Sequence, residues 1–354
     1  MAQRPITTES AADDDDAQDY RGRTRERAKR LDRTRTRVKS GAVVSERALQ
    51  GVVISPLGPK WLVNSGDDYW VASVSGVVDA AEGTTLVTVG DHVWIEPDAE
   101  TTEHGDLAAT IVKVDERTTV LSRKAAGVAQ REQVLVANVE QLGIVMAAVL
   151  PGYNKRLMDR YLIAADKGDL RPFIVINKCD LLQDEDREDI LDDLRTYWDL
   201  LHVPVIMVSA ESSEGLDELR SALADTSTLL TGPSGVGKSS LINRLTDARQ
   251  RVGEISTKYL KGKHTTTSSM VIPIPEGGMV VDSPGIREFG IFELGKEELP
   301  FYFEEFAEFT PHCRFTPCSH THEPNCAVKQ AVEDGAIDEE RYVSYLNLMH
   351  DITS

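Results

Sequence analysis

The sequence predicts a multi-domain chain: an N-terminal OB-type β-barrel, a circularly permuted α/β P-loop domain, and a mostly helical C-terminal domain built around cysteines. Three observations predict it. Short β-type apolar runs separated by turn residues follow residue 46. The phosphate-binding loop Gly232 to Ser240 comes after the loop Asn177-Lys178-Cys179-Asp180, the reverse of the usual order. Three of the four cysteines fall between residues 313 and 326.

Length and composition set the class. A chain of 354 residues can hold two or three cores. With 27% charged and 41% hydrophobic residues it reads as a soluble globular protein. No apolar run approaches the roughly 18 residues that span a bilayer. The polar N-terminus is unlike a secretory signal, and clustered cysteines suit a reducing compartment, so a cytoplasmic location is expected. The net charge of -19 argues against nucleic-acid binding by the whole surface. Charge is uneven, however. Tyr20 to Ser40 holds ten Lys or Arg against two acids, Glu26 and Asp32, behind the acidic run Asp13 to Asp16. Residues 1–46 lack apolar periodicity. They are read as a disordered acidic-then-basic arm able to grip phosphate backbones, or else as a solvated tail.

Residues 47–126 are assigned to the barrel. Its expected strands are Gly51 to Ile54, Lys60 to Val63, Tyr69 to Ala72, Leu86 to Val89, His92 to Ile95 and Ala109 to Val114. Ser65-Gly66-Asp67 and Val89-Gly90-Asp91 supply turns. Five or six short strands in this span suit an OB barrel, a fold that often binds RNA. Trp61, Trp70 and Trp94 are expected to pack the core, with base stacking as their other use.

Residues 127–298 have an α/β rhythm. Gln141 to Val149 is continuously apolar, as in a buried parallel strand. A helix over Leu157 to Lys167 follows, then a strand Phe173 to Ile176 ending on Asn177. Next come a helix Asp186 to Leu200, a strand Val205 to Val208, a helix Leu216 to Leu223 and a strand Thr226 to Thr231. Motifs at the carboxyl ends of successive strands are what a doubly wound sheet offers its ligand. Residues 299–354 form the last unit, with helices expected over Leu299 to Phe309 and Ala327 to Met349.

Gly232-Pro233-Ser234-Gly235-Val236-Gly237-Lys238-Ser239 reads G-x-x-x-x-G-K-S and continues into Ser240 and a helix. Glycines let backbone N–H groups close on phosphate oxygens. Lys238 should reach the β- and γ-phosphates, and Ser239 should ligate Mg²⁺. Asn177-Lys178-Cys179-Asp180 reads N-K-x-D. Asp180 can accept from guanine's ring N–H and exocyclic amine, a donor pair that adenine lacks. Asn177 would brace the loop, and the Lys178 stem would lie over the base. Ser209-Ala210, after the next strand, would offer a backbone N–H to the guanine oxygen. This order makes the domain a circularly permuted P-loop GTPase.

Asp282-Ser283-Pro284-Gly285 reads D-x-x-G at another strand end. Asp282 would hold Mg²⁺ through water, and the Gly285 N–H would meet the γ-phosphate. Between these motifs, Gly262-Lys263-His264-Thr265-Thr266-Thr267 reads as a mobile switch, or as a plain surface loop. Thr266, with Thr265 close behind, would complete the Mg²⁺ shell. Ile286 stands where many GTPases carry a water-orienting glutamine, so intrinsic hydrolysis should be slow. His264 is the candidate replacement, or an exposed histidine without a role.

Cys313, Cys318, His320 and Cys326 give C-x₄-C-x-H-x₅-C, a donor set for structural tetrahedral Zn²⁺. His312 and His322 are rival nitrogen ligands. Cys179, inside the base-reading loop, is expected to be only a packed or semi-exposed thiol.

Together these residues resemble the ribosome small-subunit-dependent GTPase A (RsgA) family, over about residues 47–350. The resemblance implies an OB domain, a permuted GTPase domain and a zinc domain. It implies late maturation of the small ribosomal subunit, contact with its rRNA, and GTP hydrolysis stimulated by that subunit. Nothing demands more than a monomer. Gly285 lies near the edge of its domain, so a γ-phosphate-dependent movement there could pass along residues 286–299 to the zinc domain. Two other readings stand beside this one. One is an RNA-binding assembly scaffold whose guanine nucleotide turns over slowly. The other, an unrelated P-loop ATPase, is disfavoured by Asp180.

Overall fold

The computed structural model describes residues 44–76, 78, 85–103, 105–124, 132–246, 269–275, 277–282 and 294–352. The N-terminal arm, His264, Thr265, Thr266 and Gly285 lie outside them. The described residues fall into two compact units, one within Thr34–Glu293 and one within Leu294–Ser354.

The first unit begins with a closed five-stranded barrel. Its strands are β1 (Leu49–Leu57), β2 (Lys60–Ser65), β3 (Asp68–Val74), β4 (His92–Pro97) and β5 (Ala108–Val114). They pair in the order β1-β2-β3-β5-β4, and Gly51 opposite Val93 closes the ring. The β3–β5 pair is parallel and the other pairs are antiparallel. This closure leaves no open edge to aggregate. Alternation turns Val53, Val63, Ala72, Val93, Ile95, Ala109 and Ile111 inward. Trp61 and Trp70 pack partly buried against that core. Trp94 is half-buried and donates to Asp115 at 3.2 Å, with Lys113 Nζ 5.6 Å from its ring centroid.

The expected strand Leu86 to Val89 does not form; only Val89 makes an isolated bridge, to Val136. The cause is a buried ion pair. Arg117 binds both carboxylate oxygens of Asp91, at 2.7 and 2.9 Å, and both side chains are fully buried. The same carboxylate accepts from Thr88 N at 2.7 Å, and Arg117 also donates to Thr85 O at 3.0 Å. Satisfying the buried pair bends the segment instead of extending it.

An antiparallel ribbon, β6 (Val120–Lys124) and β7 (Glu132–Ala137), leads into a six-stranded sheet. The sheet comprises β8 (Gln141–Ala147), β9 (Arg171–Asn177), β10 (Val205–Met207), β11 (Ser227–Thr231), β12 (Met270–Pro273) and β13 (Met279–Asp282). Its order is β10-β9-β8-β11-β13-β12, parallel except for β12. From β8 the chain winds outward to β9 and β10, then returns to place β11 on the other side of β8. Strand order therefore reverses between β8 and β11, which is where such sheets bind ligands.

Helices α1 (Lys155–Gly168), α2 (Asp184–Asp193), α3 (Leu216–Leu223) and α4 (Lys238–Leu245) join these strands. Asn154 caps α1 by accepting from Leu157 N at 3.0 Å. Three acids in the first turn of α2 favour its positive end. Leu219, Leu223, Leu241 and Ile242 bury against Val145, Val175, Leu230 and Val280 of the sheet. The helix expected over Asp186 to Leu200 stops early and gives way to a π-turn at Thr196–Leu200. There the buried Tyr197 hydroxyl reaches Asp159 of α1 at 2.8 Å.

In the second unit, 3-10 turns at Leu299–Tyr302 and Glu304–Phe306 replace the expected helix. The long helix expected next is two, α5 (Ala327–Glu333) and α6 (Glu339–Asp351). Gly335 breaks it with φ 75°, and Asp338 restarts it by accepting from Arg341 N at 3.0 Å. Phe303 stacks on Phe306 at a centroid distance of 5.3 Å, and Tyr345 meets both rings edge-on at 5.2 and 5.0 Å. Beside them Arg341 grips the buried Glu305 at 2.7 and 3.0 Å. No helix among the described residues is long and apolar enough to cross a membrane.

Candidate nucleotide site and cysteine centre

Three loops meet at the carboxyl edge of the sheet, and Asn177 joins them. Its side chain is 1% exposed at the end of β9. Its Nδ2 donates to Val236 O of the phosphate loop at 2.8 Å. Its Oδ1 accepts from Ala210 N, after β10, at 3.1 Å. One amide thus holds the base-reading loop, the P-loop and the Ser209-Ala210 loop in register.

The P-loop needs its glycines. Gly232 has φ 148°, and a Cβ there would lie 2.0 Å from Val145 O of β8. Gly237 has φ 93°, and a Cβ would lie 2.3 Å from Asn177 Nδ2. Any side chain at either position breaks the cradle. Pro233, Ser234, Gly235 and Val236 complete the turn, and Lys238 opens α4 with Ser239 and Ser240 exposed beside it. Lys238 Nζ donates to the carbonyls of Gly232 and Pro233, at 2.7 and 2.9 Å. These contacts arch the ammonium over the loop. Asp282 ends β13. Burial raises its carboxyl pKa, and the charge of Lys238 opposes that rise. Asp282 thus lies within electrostatic reach of Lys238, and Ser239 follows that lysine in α4.

In the N-K-x-D loop, Asp180 is exposed on a one-turn 3-10 helix, Cys179–Leu181. Ser209 aims it: its buried hydroxyl donates to Asp180 Oδ1 at 2.6 Å while accepting from Glu211 N and Ser212 N at 3.1 and 3.0 Å. Lys178 adopts φ 68° and donates to Leu150 O. The buried Cys179 donates its thiol to Ile176 O at 3.1 Å, and burial pushes that thiol up to about 11, against the opposing charge of Arg187. A neutral, packed thiol agrees with the expectation from sequence.

The second unit gathers Cys313, Cys318, His320 and Cys326, whose ligand atoms all lie within 4.8 Å of one another. Cys313 Sγ to Cys326 Sγ is 3.8 Å, and His320 Nδ1 lies 3.6 and 3.4 Å from those sulfurs. A tetrahedral zinc with ordinary bond lengths would have edges of about 3.8 Å between sulfurs and about 3.5 Å from sulfur to nitrogen. The group is therefore compatible with zinc. Burial lowers the His320 pKa, keeping the imidazole neutral as a ligand must be. Its other nitrogen faces Thr310 Oγ1 at 3.4 Å, and that hydroxyl donates to Phe306 O at 2.7 Å. Thr310 therefore accepts from Nε2–H, which leaves Nδ1 free for metal. Tyr342 and Tyr345 donate to the carbonyls of His320 and Ser319. His312 and His322 are outside the group. Thr310 and the two tyrosines carry no metal-ligand signal in sequence, so only the fold reveals them.

A sheet wound from β8, with its base-reading loop before its phosphate loop, defines a circularly permuted P-loop GTPase. The chain belongs to the RsgA GTPase family, whose model matches residues 114–292. It is 42% identical over 314 residues to the Chlorobaculum tepidum protein named small ribosomal subunit biogenesis GTPase RsgA, covering 87% of this chain and 99% of that one. The Chlorobaculum parvum protein of the same name is 43% identical over 312 residues, covering 86% of this chain and 98% of its own. Among solved structures, YjeQ from Thermotoga maritima superposes with TM-score 0.64 and 28% identity, covering 87% of this chain and 99% of that one. YloQ, described as a circularly permuted GTPase, gives TM-score 0.63 and 27% identity over 88% and 98% of the two chains.

Proposed function

We propose that this chain hydrolyses GTP in the biogenesis of the small ribosomal subunit, acting in the cytoplasm, as a monomer, late in maturation and with stimulation by the subunit. The observation that carries the nucleotide reading is the clasp of Asn177 on Val236 and Ala210, which unites base-reading and phosphate-binding loops in one site. The biological setting is supported by relatives named for small-subunit biogenesis.

In this reading Asp180 selects guanine and Ala210 N meets its oxygen. Lys238 and the P-loop amides neutralise the phosphates. Ser239, Asp282 and Thr266 are suited to hold Mg²⁺, which would offset charge on the β- and γ-oxygens. Gly285 senses the γ-phosphate and His264 positions the attacking water. Cys313, Cys318, His320 and Cys326 hold a structural zinc. Residues 47–126 and 299–354 flank the GTPase part, 127–298, and touch rRNA, with the basic stem of residues 1–46 adding phosphate contacts.

The test is GTP hydrolysis by the full chain with and without small ribosomal subunits. Stimulation that disappears in Lys238→Ala is expected. Tight binding without stimulation would instead support an assembly scaffold. His264→Ala should lower stimulated turnover with GDP affinity intact; unchanged turnover removes that histidine from the mechanism.

A further inference from the structure

Arg187 sits in the first half of α2, seven residues beyond Asp180, in a helix otherwise crowded with acids. No nucleotide motif includes it. Its guanidinium nevertheless reaches back under the base-reading loop. Nη2 donates to Cys179 O at 2.9 Å. Nη1 and Nη2 bind the two carboxylate oxygens of Glu214, the second at 3.0 Å. Glu214 belongs to the other base-side loop, where its own carbonyl accepts from Ser209 N at 2.9 Å.

The location of these bonds matters more than their number. Cys179 O belongs to the peptide group whose nitrogen is that of Asp180. It also accepts from Leu182 N at 3.2 Å, so Arg187 supplies the second donor for that carbonyl. The orientation of this peptide plane sets where the Asp180 carboxylate projects. Asp180 otherwise rests on a single 3-10 turn and one bond from Ser209. A planar fork can serve a carboxylate and a carbonyl together, whereas an ammonium cannot hold that geometry.

We infer that Arg187, braced by Glu214, is a positioning residue for guanine selectivity: it locks the base-reading loop to the Ser209-Ala210 loop and fixes the aim of Asp180. The inference rests on the guanine reading above. The pair is 26% and 45% exposed, a setting in which ion pairs contribute little to stability. Its value lies in alignment. Asp180 makes two bonds to guanine but only one to hypoxanthine, which lacks the exocyclic amine. A slack carboxylate therefore loses more affinity for guanine.

The experiment measures GDP, IDP and ADP affinity and melting temperature for the full chain, Arg187→Met, Arg187→Lys and Glu214→Gln. Arg187→Met is expected to weaken GDP by about tenfold, the equivalent of 1.4 kcal/mol. Its preference for GDP over IDP should shrink, with the melting temperature nearly unchanged. Arg187→Lys and Glu214→Gln should fall between it and the parent. A GDP-to-IDP ratio that stays at the parent value in Arg187→Met and Glu214→Gln overturns the inference, as does equal weakening of both nucleotides with a large loss of melting temperature. A parent chain that binds ADP as well as GDP overturns the guanine reading itself, and the inference with it.

Discussion

Asn177 and Val236 are fifty-nine residues apart in sequence and joined by one buried hydrogen bond of 2.8 Å. That bond is the seam between the two halves of the nucleotide site. Its consequence is testable. Asn177→Ala leaves Val236 O and Ala210 N without their buried partner, a loss of about 1–3 kcal/mol per orphaned group. Melting temperature and GDP affinity should therefore fall together. A variant that binds GDP normally would show that the loops are held by other means.

Asp180→Asn exchanges a double acceptor for a group with one acceptor and one donor. Xanthine offers a carbonyl where guanine carries its amine, so the amide matches xanthine instead. GDP affinity should drop by at least about 100-fold, as expected when a buried polar match is lost. XDP affinity should rise. Equal weakening of both would place Asp180 outside the base pocket.

Asp282 has a raised pKa because it is buried, with Lys238 only partly offsetting the cost. The sign follows from that rise. The neutral acid fits the fold better, so its contribution is complete below the unfolded pKa and is lost as pH rises through the folded value. At neutral pH the ionised carboxylate costs stability. Asp282→Asn should raise the melting temperature at neutral pH, with the gain shrinking in acid, while hydrolysis falls. A stability loss at neutral pH would contradict the electrostatic account.

Burial pushes the Cys318 thiol up to about 12, so the metal-free centre holds protons at neutral pH. Zinc must displace them, and its affinity should weaken as pH falls. Cys318→Ser should lose stoichiometric zinc and make residues 299–354 sensitive to protease. Retention of zinc by that variant would exclude Cys318 as a ligand.

Legibility in the sequence followed locality. The P-loop, N-K-x-D and C-x₄-C-x-H-x₅-C patterns place their chemistry within a few residues of chain, and strand ends bring the first two to the edge of the sheet. Barrel closure was legible from alternation, but the strand expected at Leu86 to Val89 was not built. Propensity there yields to the Asp91–Arg117 pair, whose members are twenty-six residues apart. The helix break at Gly335 was a local signal outweighed by apolar spacing that continued across it, whereas no glycine or proline marks the end of α2 at Leu194. Arg187 was hidden for a further reason: on a solvated acidic helix one arginine reads as a charge-balancing residue, and only the fold shows the carbonyl it meets.

The strand order has a consequence for how the protein is made. Synthesis proceeds from the N-terminus, so β8, β9 and β10 emerge with the guanine-reading loop before any phosphate loop exists. The vacant side of β8 waits until β11 appears, because Gln141 pairs with Thr228. During that interval the nascent half-sheet presents the unpaired edge of an apolar central strand. The permuted order thus trades early assembly of the base pocket for a period of exposure during translation, when a chaperone or rapid elongation is most valuable.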